Sequence, residues 1–247
     1  MNRLFSATLL VALASAMSIT AFAQSESRDA VLKEIETKRL ELSILEEKFL
    51  APPEDDRVTY AEFLKQPNAG IIRLLPREKF ESEVYKKNQH TLTVPGGGAY
   101  FSFTHLTHEY GSGTQLGLEQ NYLSSSFAGA DYGIISNLGD VPLEGLSLEY
   151  PTVKFMASYE AAREEPRARS EYMRFSNGLS IDGLNYKTRL LAVVNNSYAL
   201  RGIHYSDSDV LVVFRIVRKD EDGSLILLWK LLKKYPKPEL ARANQPN

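Results

Sequence analysis

Two apolar runs near the end of the chain constrain its fold more than any other stretch. The first reads Val210-Leu211-Val212-Val213-Phe214-Arg215-Ile216-Val217. The second reads Leu225-Ile226-Leu227-Leu228-Trp229-Lys230-Leu231-Leu232, and Asp220-Glu221-Asp222-Gly223 lies between them. Alternate residues of a strand share a face, so a run that is apolar at nearly every position is apolar on both faces. Such a strand needs cover above and below, which places it in the middle of a sheet. The β-branched content suits a strand. Gly223 takes φ > 0 without a Cβ clash, so the two runs read as a β-hairpin. The same texture continues upstream. Residues 186–194 and 198–205 flank a polar Asn195-Asn196-Ser197 turn, so we expect a four-strand antiparallel run from residue 186 to 234.

Shorter candidate strands fill the middle of the chain: 71–75, 91–94, 99–107, 116–123, 132–138, 143–150 and 153–159. Turn signals separate them, notably Pro95-Gly96-Gly97-Gly98, Gly111-Ser112-Gly113 and Gly139-Asp140. The charged stretch 161–171, with Pro166, reads as an exposed loop. Asn177-Gly178 and Asp182-Gly183 read as hairpin punctuation. Short strands at this spacing belong to sandwiches and barrels. A transmembrane barrel is disfavoured, because its strands alternate apolar and polar and 210–217 does not.

Two helices precede the strands. In residues 25–50, Val31, Ile35, Leu42, Leu45 and Phe49 fall on one stripe, interrupted by Lys38 and flanked by charge. Two readings compete: a short coiled coil joining two copies, and an amphipathic helix docked on its own domain. Three heptads with a lysine in the seam is short for a coiled coil, which favours docking. The possible homo-oligomer is kept on those five residues. Pro52-Pro53 ends this helix and a second follows over 54–65. The expected fold class is therefore mainly β: an antiparallel sandwich or barrel-like domain over 70–235, preceded by two N-terminal helices within 24–69. Residues 236–247, with Pro236, Pro238 and Pro246, read as a disordered tail.

Residues 1–23 read as a signal peptide. Arg3 supplies the positive start, an apolar run follows, and Ala21-Phe22-Ala23 has the small-x-small form that signal peptidase cleaves. No later stretch is long and apolar enough to span a membrane, so the cleaved chain is not expected to be an integral membrane protein. It is placed in the periplasm or outside the cell. There is no cysteine among the 247 residues, which excludes disulfides, thiolate metal sites, a Cys nucleophile and a lipidated N-terminal Cys. The formal net charge of −2 gives no electrostatic case for nucleic acid.

The most suggestive chemical cluster is His105-Leu106-Thr107-His108-Glu109-Tyr110. Imidazole and carboxylate are metal-ligand types, but the spacing is not the H-E-x-x-H of helical zinc sites. On a strand His105 and His108 point to opposite faces. A turn near His108 would bring His105 and Glu109 together. Tyr100, Phe101, Phe103, Tyr110 and Tyr122 make this region aromatic, suited either to cross-strand packing or to a ligand platform. The glycine run 96–98 leads into a strand and not a helix, so it is a turn and not a phosphate loop. Arg215, inside an apolar strand, calls for a carboxylate such as Asp207 or Asp209.

From these residues we expect an exported, non-catalytic β-domain protein that binds a partner or small ligand. Its ligand-binding candidates are Tyr100, Phe103, His105, His108, Glu109 and Tyr110. No catalytic residue, metal site or cofactor is assigned. The alternative is a secreted or periplasmic hydrolase with a site near His105, His108 and Glu109.

Overall fold

A computed structural model describes residues 28–80, 95–111, 113–125 and 130–241. The signal peptide expected at 1–23, the strand expected at 91–94 and the last six residues lie outside the described residues. The chain divides into two compact units at Phe49/Leu50. In the first, residues 28–49 are helical, and Val31, Ile35, Leu42, Leu45 and Phe49 are all exposed. No helix among the described residues is long and apolar enough to cross a membrane.

The second unit is organised by the C-terminal hairpin. Strands β10 (Ser208–Lys219) and β11 (Leu225–Lys234) pair antiparallel, with Phe214 opposite Trp229. Gly223 sits at φ 88° and donates its N–H to the Asp220 carbonyl at 2.9 Å, so the turn falls where the Asp-Gly pair predicts it. Strand β9 (Ser197–His204) pairs with β10 through the 205–207 turn. β1 (Ala69–Leu74) pairs with β11 and β5 (Tyr132–Gly139) with β9, giving a five-stranded antiparallel sheet in the order β1-β11-β10-β9-β5.

Both faces of this sheet are covered, as the doubly apolar β10 requires. On one face Ile72, Leu74, Leu200, Val212, Phe214, Leu227 and Trp229 meet Phe101, Leu116, Leu118 and Leu123. Those last four come from a second antiparallel sheet, ordered β2 (Tyr100–Phe101), β3 (Leu116–Glu119), β4 (Tyr122–Ser124) and β8 (Arg189–Leu191). On the other face Ile71, Ile134, Ala199, Leu211, Val213 and Leu228 meet Val153, Met156, Ala168 and Phe175. These belong to helices α5 (Pro151–Ser158) and α6 (Glu165–Asn177), which follow α1 over 28–50, α2 (Glu54–Thr59), α3 (Ala61–Leu64) and α4 (Arg77–Phe80) in the chain. Burying each large aliphatic side chain stabilises by about 1.5–3 kcal/mol relative to exposure, before the entropy cost of ordering it. Strands β6 (Leu179–Ile181) and β7 (Leu184–Tyr186) make a separate hairpin, with Asp182 and Gly183 both at positive φ.

The fold is thus rich in antiparallel sheet and has an N-terminal helix. The sheets are open, not closed into a barrel, and helices cover one face. The strand expected at 153–159 is instead helical up to Ser158. Pro151 sits in the first turn of α5, where its missing N–H costs nothing, and Thr152, Val153 and Met156 bury one helical face. Residues 165–177 are a helix, not an exposed loop. Pro166 again lies in the first turn, Ala168, Glu171 and Phe175 share a face, and Gly178 at φ 90° ends the helix. Asn177-Gly178 is therefore a helix stop and not a hairpin turn. Residues 143–150 are not a strand: Leu143–Gly145 form a 3-10 turn, and Leu143 and Leu146 drop into the core. The expected strand 186–194 divides, its first part pairing in β7 and its second in β8, so only β9, β10 and β11 form the consecutive meander. The tail is held as far as residue 241: Ser206 N–H bonds to Pro238 O at 2.9 Å and Ala241 N–H to Arg163 O at 2.6 Å.

Candidate functional site

The six sequence-nominated residues do not share one site. Phe103 is core, its ring edge-on to Phe101 and Trp229 at 5.2 and 5.4 Å. Tyr100 is also buried, with its hydroxyl bonded to the Glu119 carboxylate. Arg77 Nη1 donates to both Tyr100 Oη and Glu119 Oε1 at 2.9 Å, and its guanidinium lies over the rings of Tyr100 and exposed Tyr110. Burial first, then the Glu119 carboxylate, pushes the Tyr100 phenol well above its ordinary range.

His105, His108 and Glu109 part at a turn. Ser102 N–H bonds to Thr107 O and Leu106 takes φ 59°, so the chain reverses over 103–106. This brings His105 Nδ1 to 2.8 Å from Glu109 Oε1, with Asp207 Oδ1 3.6 Å from Nε2 on the other side. His108 points the opposite way. Its Nε2 bonds to Arg73 O at 2.7 Å and its ring meets Phe101 edge-on. That bond caps a carbonyl of the edge strand β1, which gives His108 a structural task. Desolvation lowers its pKa, opposed by the Arg73 carbonyl. The three side chains do not converge, and no group of three metal-ligating side chains occurs among the described residues.

A cleft lies elsewhere, on the helical side of the five-stranded sheet. It has two lobes that share the segment from Tyr159 to Arg163. One, of about 400 Å3, is walled by α6 through Glu164, Arg167 and Arg174. The other, of about 540 Å3, is walled by the C-terminal tail, from Tyr235 to Glu239, with Arg201 and Asp209 at its floor. None of the six nominated residues lines either lobe.

The floor is fixed by a buried ion pair. Arg201 and Asp209 lie diagonally across the β9–β10 ladder, on one face. Arg201 Nε and Nη2 meet the two Asp209 oxygens at 2.9 and 2.8 Å, a bidentate geometry, and both residues are about 3 % exposed or less. Arg201 Nη1 donates to the carbonyls of Met156 and Tyr159 at 2.5 Å each, and Tyr235 stacks over the guanidinium at 3.8 Å. One arginine therefore ties β9, β10, the end of α5 and the start of the tail together.

The wall is fixed by tyrosines. Tyr159 donates to Glu171 Oε2 at 2.9 Å, so Tyr132, 2.9 Å away, donates to Tyr159. Tyr205 donates to Ala162 O at 2.5 Å. Burial, then the Tyr132 contact, pushes the Tyr159 and Tyr205 phenols above the ordinary range, so both keep their protons. Glu171 is buried and meets Arg167 and Arg174 at 3.6 and 3.3 Å. Exposed Glu160, Arg163 and Glu164 and the tail's Lys237 and Glu239 complete a rim of both signs.

Arg215 pairs with Asp140 at 2.6 Å and not with Asp207 or Asp209, because Asp209 lies six residues away along β10, about 20 Å, while the turn after β5 brings Asp140 beside it. The sequence signal missed was a buried cation in this meander: Arg201, between Tyr198, Ala199 and Leu200 on one side and Ile203 on the other. Comparison of the chain with protein-family models, with curated proteins and with solved structures gave no match.

Proposed function

We propose that this is an exported, non-catalytic binding protein of the cell envelope or extracellular space, and that it holds a small polar ligand in the cleft between α6 and the C-terminal tail. The observation that carries the reading is the contrast within the cleft. Its floor and wall are satisfied internally by Arg201–Asp209 and Tyr132–Tyr159–Glu171, while its rim leaves exposed charges of both signs. Rigid backing with adaptable polar groups at the mouth is what a ligand pocket needs. Three carboxylates and three guanidinium groups line the lobe beside α6, so a ligand bearing both charges fits better than a purely anionic or apolar one. Short peptides are the class that matches. Export rests on the form of residues 1–23.

The test is calorimetric titration of residues 24–247 with pooled short peptides, and with neutral sugars and lipids as contrast. Peptide binding that weakens about tenfold in Arg163→Glu supports the reading. Heat from none of the three classes, or binding indifferent to Arg163→Glu and Arg167→Glu, ends it. A hydrolytic role for His105, His108 and Glu109 has no supporting geometry.

A further inference from the structure

We propose that the C-terminal tail is a built-in occupant of the peptide groove, and that the ligand is an extended peptide that displaces it. The inference rests on the reading of the cleft as a peptide site and adds how the peptide is held. After β11 the chain stays firmly anchored for one more residue. Tyr235 donates its N–H to Asp209 O and its hydroxyl to Ala157 O, both at 2.9 Å, and its ring covers Arg201. From Pro236, which has no N–H to continue the ladder, the attachment thins. Pro238 and Leu240 are half-buried, while Lys237, Glu239 and Ala241 are exposed. That alternation is the period of an extended chain.

Two main-chain bonds hold this segment among the described residues. Ser206 N–H donates to Pro238 O at 2.9 Å, and Ala241 N–H donates to Arg163 O at 2.6 Å. Ser206 and Arg163 belong to no helix or strand, so this donor and this acceptor are open to any extended chain, whatever its side chains. The inward pair sets the sequence preference: Leu240 packs against the core beneath the helices, with Pro238 two residues before it. An apolar-x-apolar peptide reproduces that pair. The tail also carries Lys237 and Glu239, the mixed charge that the rim of the cleft calls for. Its fit is incomplete. The lobe of about 540 Å3 that the tail walls is left unfilled by the tail's own side chains. A ligand that makes the same two main-chain bonds and fills the lobe gains contacts that the tail does not make.

The probe is the synthetic peptide of residues 236–241 with both ends blocked, titrated into residues 24–247. Leu240→Asp in the protein should release the tail. The amide of residue 241 then exchanges faster with solvent, and the peptide binds about tenfold tighter than to the native chain, because the competing segment no longer holds the groove. A peptide with Asp in place of its leucine should bind about tenfold more weakly. Unchanged circular dichroism and Trp229 fluorescence would show that the variant folds. Equal binding of the peptide by the native and Leu240→Asp chains overturns the proposal. Pooled short peptides that saturate the native chain without speeding exchange at residue 241 overturn the displacement and leave the cleft's peptide binding standing. Binding of no peptide by either chain ends both.

Discussion

On β10, Val212 and Phe214 point between the two sheets, while Leu211, Val213 and Asp209 point toward the helices. Neighbours in sequence therefore live in two different cores. Between the sheets, apolar groups predominate: aliphatic side chains with Phe101, Phe103, Phe214 and Trp229. Beneath the helices an arginine, an aspartate and three hydrogen-bonded tyrosines are laced into the apolar packing. Two flat sheet faces cover one another with interdigitated side chains alone. Helix ends and loops bring unpaired backbone carbonyls, such as those of Met156, Tyr159 and Ala162. These need donors, and Arg201 and Tyr205 supply them. The polar core is the consequence of covering a sheet with short helices, and its surplus polarity opens into the cleft.

This contrast can be broken most sharply at Asp209. Asp209→Ala leaves Arg201 buried without its counter-ion, and should cost about 3–5 kcal/mol in urea unfolding followed by Trp229 fluorescence. Replacing the pair by apolar residues of similar volume should cost much less, because desolvation is then avoided. On the apolar side Leu200→Ala removes a fully buried side chain and should cost about 3 kcal/mol. That loss should be insensitive to pH, unlike losses on the helical side.

Alkaline titration separates the faces further. The folded Tyr159 and Tyr205 phenols have raised pKa values, so their contribution is fully present below the unfolded value near 10 and is lost as pH rises above it. Each group contributes a slope of up to about 1.4 kcal/mol per pH unit. Tyr159→Phe should remove part of that slope while costing only about 1 kcal/mol at neutral pH, the smallest stability change of the set. His108 gives the acid counterpart. Its folded pKa is lowered, so its contribution is present above the unfolded value near 6.5 and is lost as pH falls toward the folded one. His108→Gln should flatten stability between neutral and mildly acidic pH.

The C-terminal meander was legible because its signal is local. Residues 210–217 and 225–232 are apolar on both faces, and Gly223 marks the reversal within the same window. The Asp182-Gly183 turn was legible for the same reason. The helices at 151–158 and 165–177 were not, because Pro151 and Pro166 lie at their starts and a proline also marks a break between elements. A proline in the first turn of a helix carries the same letter, and only the burial of Met156, Ala168 and Phe175 on one side distinguishes the two. The cleft was illegible for a different reason. Its residues are drawn from a helix end, a helix, two strands and the tail, and no one of them is unusual in its own stretch. His105 and Glu109 were named as a pair that a turn near His108 would join; they do meet, but through the reversal over 103–106.

The sequence by itself determined the central hairpin, the demand of its strands for cover on two faces, and the apolar stripe of the first helix. These follow from period and side-chain type, which act over a few residues. Tertiary structure decided what the cover is made of, which carboxylate Arg201 and Arg215 each take, and where a cleft opens. Those outcomes depend on desolvation: a buried charge must find its partner among whatever elements the fold brings near, however far apart they lie in the chain.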